Sequence, residues 1–184
     1  MRLPELAAES LSEEQRAFQD ALARGPRGPS AQGGPFAVWL HNPRFGQRVQ
    51  EFGAYVRYST SLARRHSELA ILVCARHWKA QYEWWVHAPI ALQSGVPADV
   101  VEAIRIGATP TFDEPSDAAL YHFCRELLQR HKVADATYAR VEAAFGAPAL
   151  IELVGVLGYY SLVAMTLLTF EAEPPPEPGF EPLE

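Results

Sequence analysis

Cysteine is nearly absent from this chain of 184 residues: Cys74 and Cys124 are the only two, and each falls in a separate helical pattern. A disulfide framework is therefore excluded, and a reduced, cytoplasmic setting is expected. Basic clusters are missing as well. Formal net charge is −6, so no surface is expected to track a phosphate backbone, and nucleic acid is excluded as a partner. The first residues carry Glu5, Glu9, Glu13 and Glu14 and no apolar run, which is unlike a secretory signal. No alternation of apolar and polar residues is long enough for a strand, and no internal repeat is visible.

One long hydrophobic run does occur. Leu153 to Phe170 is 18 residues without a charge, long enough to be a candidate membrane span. Glu152 and Glu171 flank it without a Lys or Arg anchor. Gly155, Gly158, Ser161, Thr166 and Thr169 dilute it. The expectation is a helix buried in protein on all sides, with no membrane partner.

What remains is helical periodicity. Ser12 reads as the N-cap of a first short helix whose apolar positions include Phe18 and Leu22. "RGPRGPSAQGGP" (24–35) reads as a loop or extended strap. Asn42 and Pro43 should open the next helix, with Val49, Phe52 and Val56 at helical spacing. "SLARRHSELAILVCARHW" and "AQYEWWVHAPIALQSG" follow, the second stopping at Gly95. Further helices are expected near Pro97, at Ser116 as N-cap, and in "ADATYARVEAAFG", which ends at Gly146. Pro148 then opens the long apolar helix. The Pro/Glu-rich end should be disordered or extended. The fold class is all-α, about seven helices in a single domain: residues 1–35 as N-terminal helix and strap, 36–171 as the helical body, 172–184 as tail.

The chemistry centres on "AQYEWWVH" (80–87). Residues four apart share a helix face, so Glu83 and His87 are neighbours. Tyr82, Trp84 and Trp85 make the other stripes apolar. Either the Glu83/His87 line faces solvent as an ordinary surface pair, or the helix is buried and encloses it. Glu68, set among Leu69, Ile71, Leu72 and Val73, argues for enclosure. A buried carboxylate needs a hydrogen-bond partner or a raised pKa, and two carboxyls with an imidazole make a proton-handling site.

"RHSELAILVCARHWKAQYEWWVHAPIALQSGVPADVVEAI" together with "ELVGVLGYYSLVAMTLLTFE" resembles the carboxymuconolactone decarboxylase family, which includes the AhpD-type alkylhydroperoxidases. The resemblance covers Phe36 to Glu171 and implies an AhpD-like helical bundle. In the peroxidase branch a glutamate precedes Cys-x-x-Cys, with a histidine four residues after the second cysteine. Aligned on Glu68, those cysteine positions fall on Ala80 and Glu83, and the histidine on His87. Alanine and glutamate cannot supply a thiolate and its resolving thiol.

The resemblance therefore implies the decarboxylase-like branch: a cofactor-free lyase acting on a small carboxylated lactone or aromatic catabolite. Catalytic residues would be Glu68, Glu83 and His87, with His87 as proton donor and Glu83 orienting it. Arg76 would hold a substrate carboxylate, and His77, Tyr82, Trp84 and Trp85 would line the pocket. No metal or other cofactor is implied. A homo-oligomer, trimer or hexamer, is. The alternatives are an AhpD-type peroxidase, disfavoured by the missing thiols, and a non-catalytic oligomer that binds a small ligand. His41 and His66 read as surface residues.

Overall fold

A computed structural model describes residues 1–29, 32–176 and 181–184. Among these the protein has eight α-helices, one 3₁₀ turn and no strand. They are α1 (Glu13–Arg24), α2 (Pro35–Trp39), α3 (Pro43–Tyr58), α4 (Arg64–Trp78), α5 (Gln81–Gln93), α6 (Ala98–Arg105), α7 (Pro115–Arg130) and α8 (Asp135–Phe170).

The centre is α4. Every residue from Ser67 to Ala75 is buried, so this middle stretch of the helix has no solvent face and must be surrounded. It packs against α5, α6, α7 and α8. Lys79 closes it in the left-handed conformation, and two residues later α5 begins, which makes the two helices neighbours.

Local signals explain most boundaries. Ser12 and Gln15 form a reciprocal capping box at α1, and Asn42 caps α3 before Pro43. Gly146 has φ 78°, ψ 163° inside α8. That conformation suits glycine, and it breaks the helix just before Pro148, as expected.

Four expectations need correction. The strap expected over 24–35 stops one residue early, because Pro35 starts a short helix, α2, that the sequence reading did not foresee. Ser116 is not the cap of α7: Pro115 takes the first helical position, with Glu114 before it. The apolar part of α8 is not buried on all sides, since Ile151 (73%), Val154, Met165 and Leu168 are exposed. It is long and apolar enough to cross a membrane by length and composition, with half of that window buried inside the protein. Finally, the tail is not loose where it is described. Gln81 both donates to and accepts from the Leu183 backbone at 2.9 and 3.0 Å, and the Leu183 side chain is buried. Of the tail and strap readings, residues 177–180 and 30–31 lie outside the described residues.

Candidate active site

On α5, Glu83, Trp84, His87 and Ala91 are buried, while Pro89, Leu92 and Gln93 are exposed. The polar line of this helix therefore faces inward, and α4 meets it. Glu68, 1% exposed, brings its Oε2 within 2.7 Å of His87 Nδ1. Arg64, one turn earlier on α4, stands 3.8 Å from the other Glu68 oxygen.

A carboxylate only accepts, so the ring proton of His87 sits on Nδ1 and Nε2 carries the lone pair. Burial pushes the His87 pKa below its ordinary value. The Glu68 bond pulls upward without prevailing, and the charges of Arg57 and Arg64 press it down further. His87 is thus a neutral, oriented base. Tyr160 packs edge-on against its ring at 5.0 Å.

Glu83 behaves differently. Both carboxyl oxygens are buried with no hydrogen-bond partner among the described residues. Burial alone drives its pKa well above the ordinary glutamate value. Its place in the first turn of α5 would favour the anion by only about 0.3–1 kcal/mol, far less than an unpaired charge loses on leaving water. Glu83 is therefore a neutral acid. The sequence reading had Glu83 orienting His87; the orienting group is Glu68.

His87 and Glu83 border one cavity of about 440 Å³, lined also by Tyr82, Trp85, Tyr159, Tyr160, Arg27 and Arg57. Gly34 stands beside it with φ +57°, and a Cβ there would lie 2.6 Å from the Tyr82 ring. Only glycine lets the strap lie against that tyrosine.

Three sequence candidates lie elsewhere. Arg76 is eight residues beyond Glu68, roughly 12 Å along the helix at 1.5 Å per residue. His77, the next residue, is turned about 100° further round. Both border a second cavity of about 260 Å³ with Lys79 and Arg125, and the Arg76 guanidinium bonds the backbone oxygens of Arg105 and Glu184. Trp84 is turned away from the site, donating to the Glu181 carbonyl at 3.1 Å. Tyr82 and Trp85 are placed as expected.

His66 is not a surface residue. It lies half-buried, 3.1 Å from Asp117, and burial lowers its pKa despite that carboxylate.

Arg27, Arg57, Tyr159 and Tyr160 were missed. Arg57 had a signal, since it extends the buried Val49–Gly53 stripe of α3 by one turn. The Tyr159–Tyr160 pair in an otherwise apolar helix was another. Arg27, in an aperiodic loop, had none.

Both thiols are buried and free. Burial pushes each far up. Neither is a thiolate at neutral pH.

No family model matches the sequence, and no curated protein does either. The fold has known counterparts. A crystal structure from Agrobacterium tumefaciens, described as a protein of unknown function and a candidate antioxidant-defence protein AhpD, aligns with TM-score 0.68. The alignment covers 76% of this chain and 97% of that one, at 15% identity. The protein therefore has the AhpD-like all-helical fold.

Proposed function

We propose that this protein is a thiol-independent acid–base enzyme, a decarboxylase-type lyase acting on a small carboxylated ring compound such as an unsaturated γ-lactone. The observation that carries this reading is the divergence of two buried groups on one cavity: His87, neutral and oriented by Glu68, and Glu83, a protonated acid without a partner among the described residues. Groups whose environments push their pKa values apart are the natural acid and base of a site.

In the reaction, the bond to the carboxylate carbon breaks and its electron pair enters the conjugated ring. CO₂ leaves. The Glu83 carboxyl adds its proton to the ring carbon, and solvent restores it. Where the double bond is repositioned, His87 Nε2 takes a proton from one ring carbon and returns it to the carbon at the far end of the allylic system, so the imidazole ends neutral as it began. The aromatic walls keep water from the developing carbanion.

The antioxidant description of the structural neighbour favours a second reading, peroxide reduction. Against it stand two buried thiols held in the neutral form. The test is a panel of unsaturated γ-lactone carboxylates and aromatic acids followed by CO₂ release, run beside tert-butyl hydroperoxide with a dithiol. Release of CO₂ that is lost in His87→Ala supports the lyase. Hydroperoxide reduction that is lost in Cys74→Ser sinks it.

The same proposal includes self-association, as a trimer or hexamer. Ile151 and Val154 lie three residues apart, as do Met165 and Leu168, and the second pair follows about three helical turns after the first on the same face of α8; the four are 44–73% exposed. A helical apolar stripe of this kind is suited to a second copy.

A further inference from the structure

We infer that Arg57 and Arg27 form a carboxylate clamp in the Glu83/His87 cavity, whose ligand is a small, planar, conjugated monocarboxylate. The inference deepens the proposed function and rests on its site, but it is carried by different residues.

The chain is acidic overall, yet neither arginine pairs with a carboxylate among the described residues. The ion pairs among the described residues use Arg2, Arg44, Arg48, Arg64, Arg65 and Arg105. Arg57 comes from the buried stripe of α3, and its Nε is buried without a hydrogen-bond partner among the described residues. Its guanidinium lies 5.2 Å from the Tyr58 ring centroid.

Arg27 arrives from the strap. It donates to the Gln50 carbonyl at 3.1 Å and reaches the Tyr159 hydroxyl at 3.5 Å, and it stacks on Phe36 and Tyr58 at 5.2 and 5.9 Å. Carbonyl, hydroxyl and ring contacts position a guanidinium without neutralising it.

Gly53 is part of the same construction. A Cβ at that position would collide with the Tyr159 hydroxyl and with Arg27 Nη2. The glycine leaves the space through which the strap arginine reaches the cavity wall.

With Glu83 neutral and Glu68 engaged by His87 and Arg64, the cavity holds two cations with no anion among the described residues to answer them. An arginine is built to hold a carboxylate through paired N–H donors. The remaining walls are Tyr82, Trp85, Tyr159 and Tyr160, flat faces for a conjugated ring. A cavity of about 440 Å³ falls in the range of small-ligand pockets. Arg76, the expected carboxylate ligand, lies at the other cavity.

The probes are benzoate and its neutral isostere benzamide, titrated calorimetrically into wild type, Arg57→Gln, Arg57→Lys and Arg27→Gln. Wild type should prefer benzoate by at least roughly tenfold, the worth of a charge-assisted pair. Arg57→Gln should abolish the preference, and Arg57→Lys should keep part of it. Arg27→Gln should reduce it.

No saturable benzoate binding, equal affinity for the two probes in wild type, or a preference that survives Arg57→Gln overturns the clamp. The wild-type comparison needs no variant to fold. CO₂ release on the same proteins separates the two ideas. A benzoate preference without any turnover leaves the clamp standing and sinks the acid–base reading. Turnover that depends on His87 without a benzoate preference does the reverse.

Discussion

Glu83→Gln should change how stability depends on pH, and the change can be worked out from the buried carboxyl alone. In the folded protein Glu83 keeps its proton, because burial raises its pKa well above the ordinary glutamate value of 4.5. In the unfolded chain the same group ionises above that ordinary value. Between the two pKa values the folded state binds one more proton than the unfolded state, so stability falls as pH rises. The slope is about 1.4 kcal/mol per pH unit. From pH 5.5 to pH 7.0, with the folded carboxyl still protonated, wild type should lose about 2 kcal/mol relative to the glutamine variant. For a chain of this size each kcal/mol moves the midpoint by about 2–4 °C, so the gap in Tm should widen by about 4–8 °C. His87 contributes with the opposite sign: its lowered pKa adds stability that is present above the ordinary histidine value and lost as pH falls below it. That contribution is common to both proteins and cancels in the difference. Thermal and urea melts of the two proteins at several pH values are the assay. Parallel curves would refute the neutral-acid assignment, and a break in the difference marks the pH at which folded Glu83 ionises.

His87→Ala should lower turnover by about 10²–10⁴-fold while the protein stays folded, the range expected for a lost acid–base group; steady-state CO₂ release checks it. The pH–rate profile of wild type should fall on the acid side as His87 protonates, below its ordinary value, and on the alkaline side as Glu83 ionises. Glu68→Gln should disturb the acid limb, since a neutral amide removes the charge beside the imidazole and its NH2 can turn to donate to Nδ1, which no longer fixes the proton there. Cys74→Ala with Cys124→Ala should keep lyase activity, at a packing cost of about 1 kcal/mol each read from urea melts. Ile151→Glu with Met165→Glu should convert the oligomer to monomer by light scattering, because the stripe on α8 would carry like charges; a wild type that is itself monomeric at micromolar concentration would refute the self-association.

Periodicity and capping made the helices legible. Ser12, Asn42–Pro43 and Gly146–Pro148 act through their immediate neighbours, so their effects survive any tertiary context. For Glu83 and His87 the stripes of their helix left two options, a solvent-facing pair or an enclosed one, and it was Glu68 among apolar neighbours that pointed to the burial both residues show. What could not be read was which partner each group would find. Helical spacing pairs Glu83 with His87, but the imidazole has two nitrogens and a neighbouring helix. The 2.7 Å bond to Glu68 depends on how α4 and α5 pack, 19 residues apart in sequence. Arg76 and His77 were misplaced for a related reason: proximity in sequence along α4 was read as proximity at the site, whereas helical rise carried them to another cavity. Arg27 and Leu183 come from segments without periodicity, where no pattern says what they will touch.

The position of Glu83 carries a further consequence. Its two oxygens are buried and unpaired among the described residues, and a buried polar group left unsatisfied costs about 1–3 kcal/mol. A purely structural carboxyl would be replaced by an apolar side chain of similar shape at no loss, since apolar replacement of such a group is often neutral or stabilising. The cost is recovered only when something in the cavity accepts the proton's hydrogen bond. A substrate whose ring or carbonyl gains negative charge does so most strongly in the transition state, where the interaction lowers the barrier rather than merely tightening the complex. Cys74 beside it cannot play this part, because its thiol is a weak donor and the low-dielectric surroundings that keep Glu83 protonated keep Cys74 protonated too. The same burial that silences the thiol makes the carboxyl a usable acid at neutral pH.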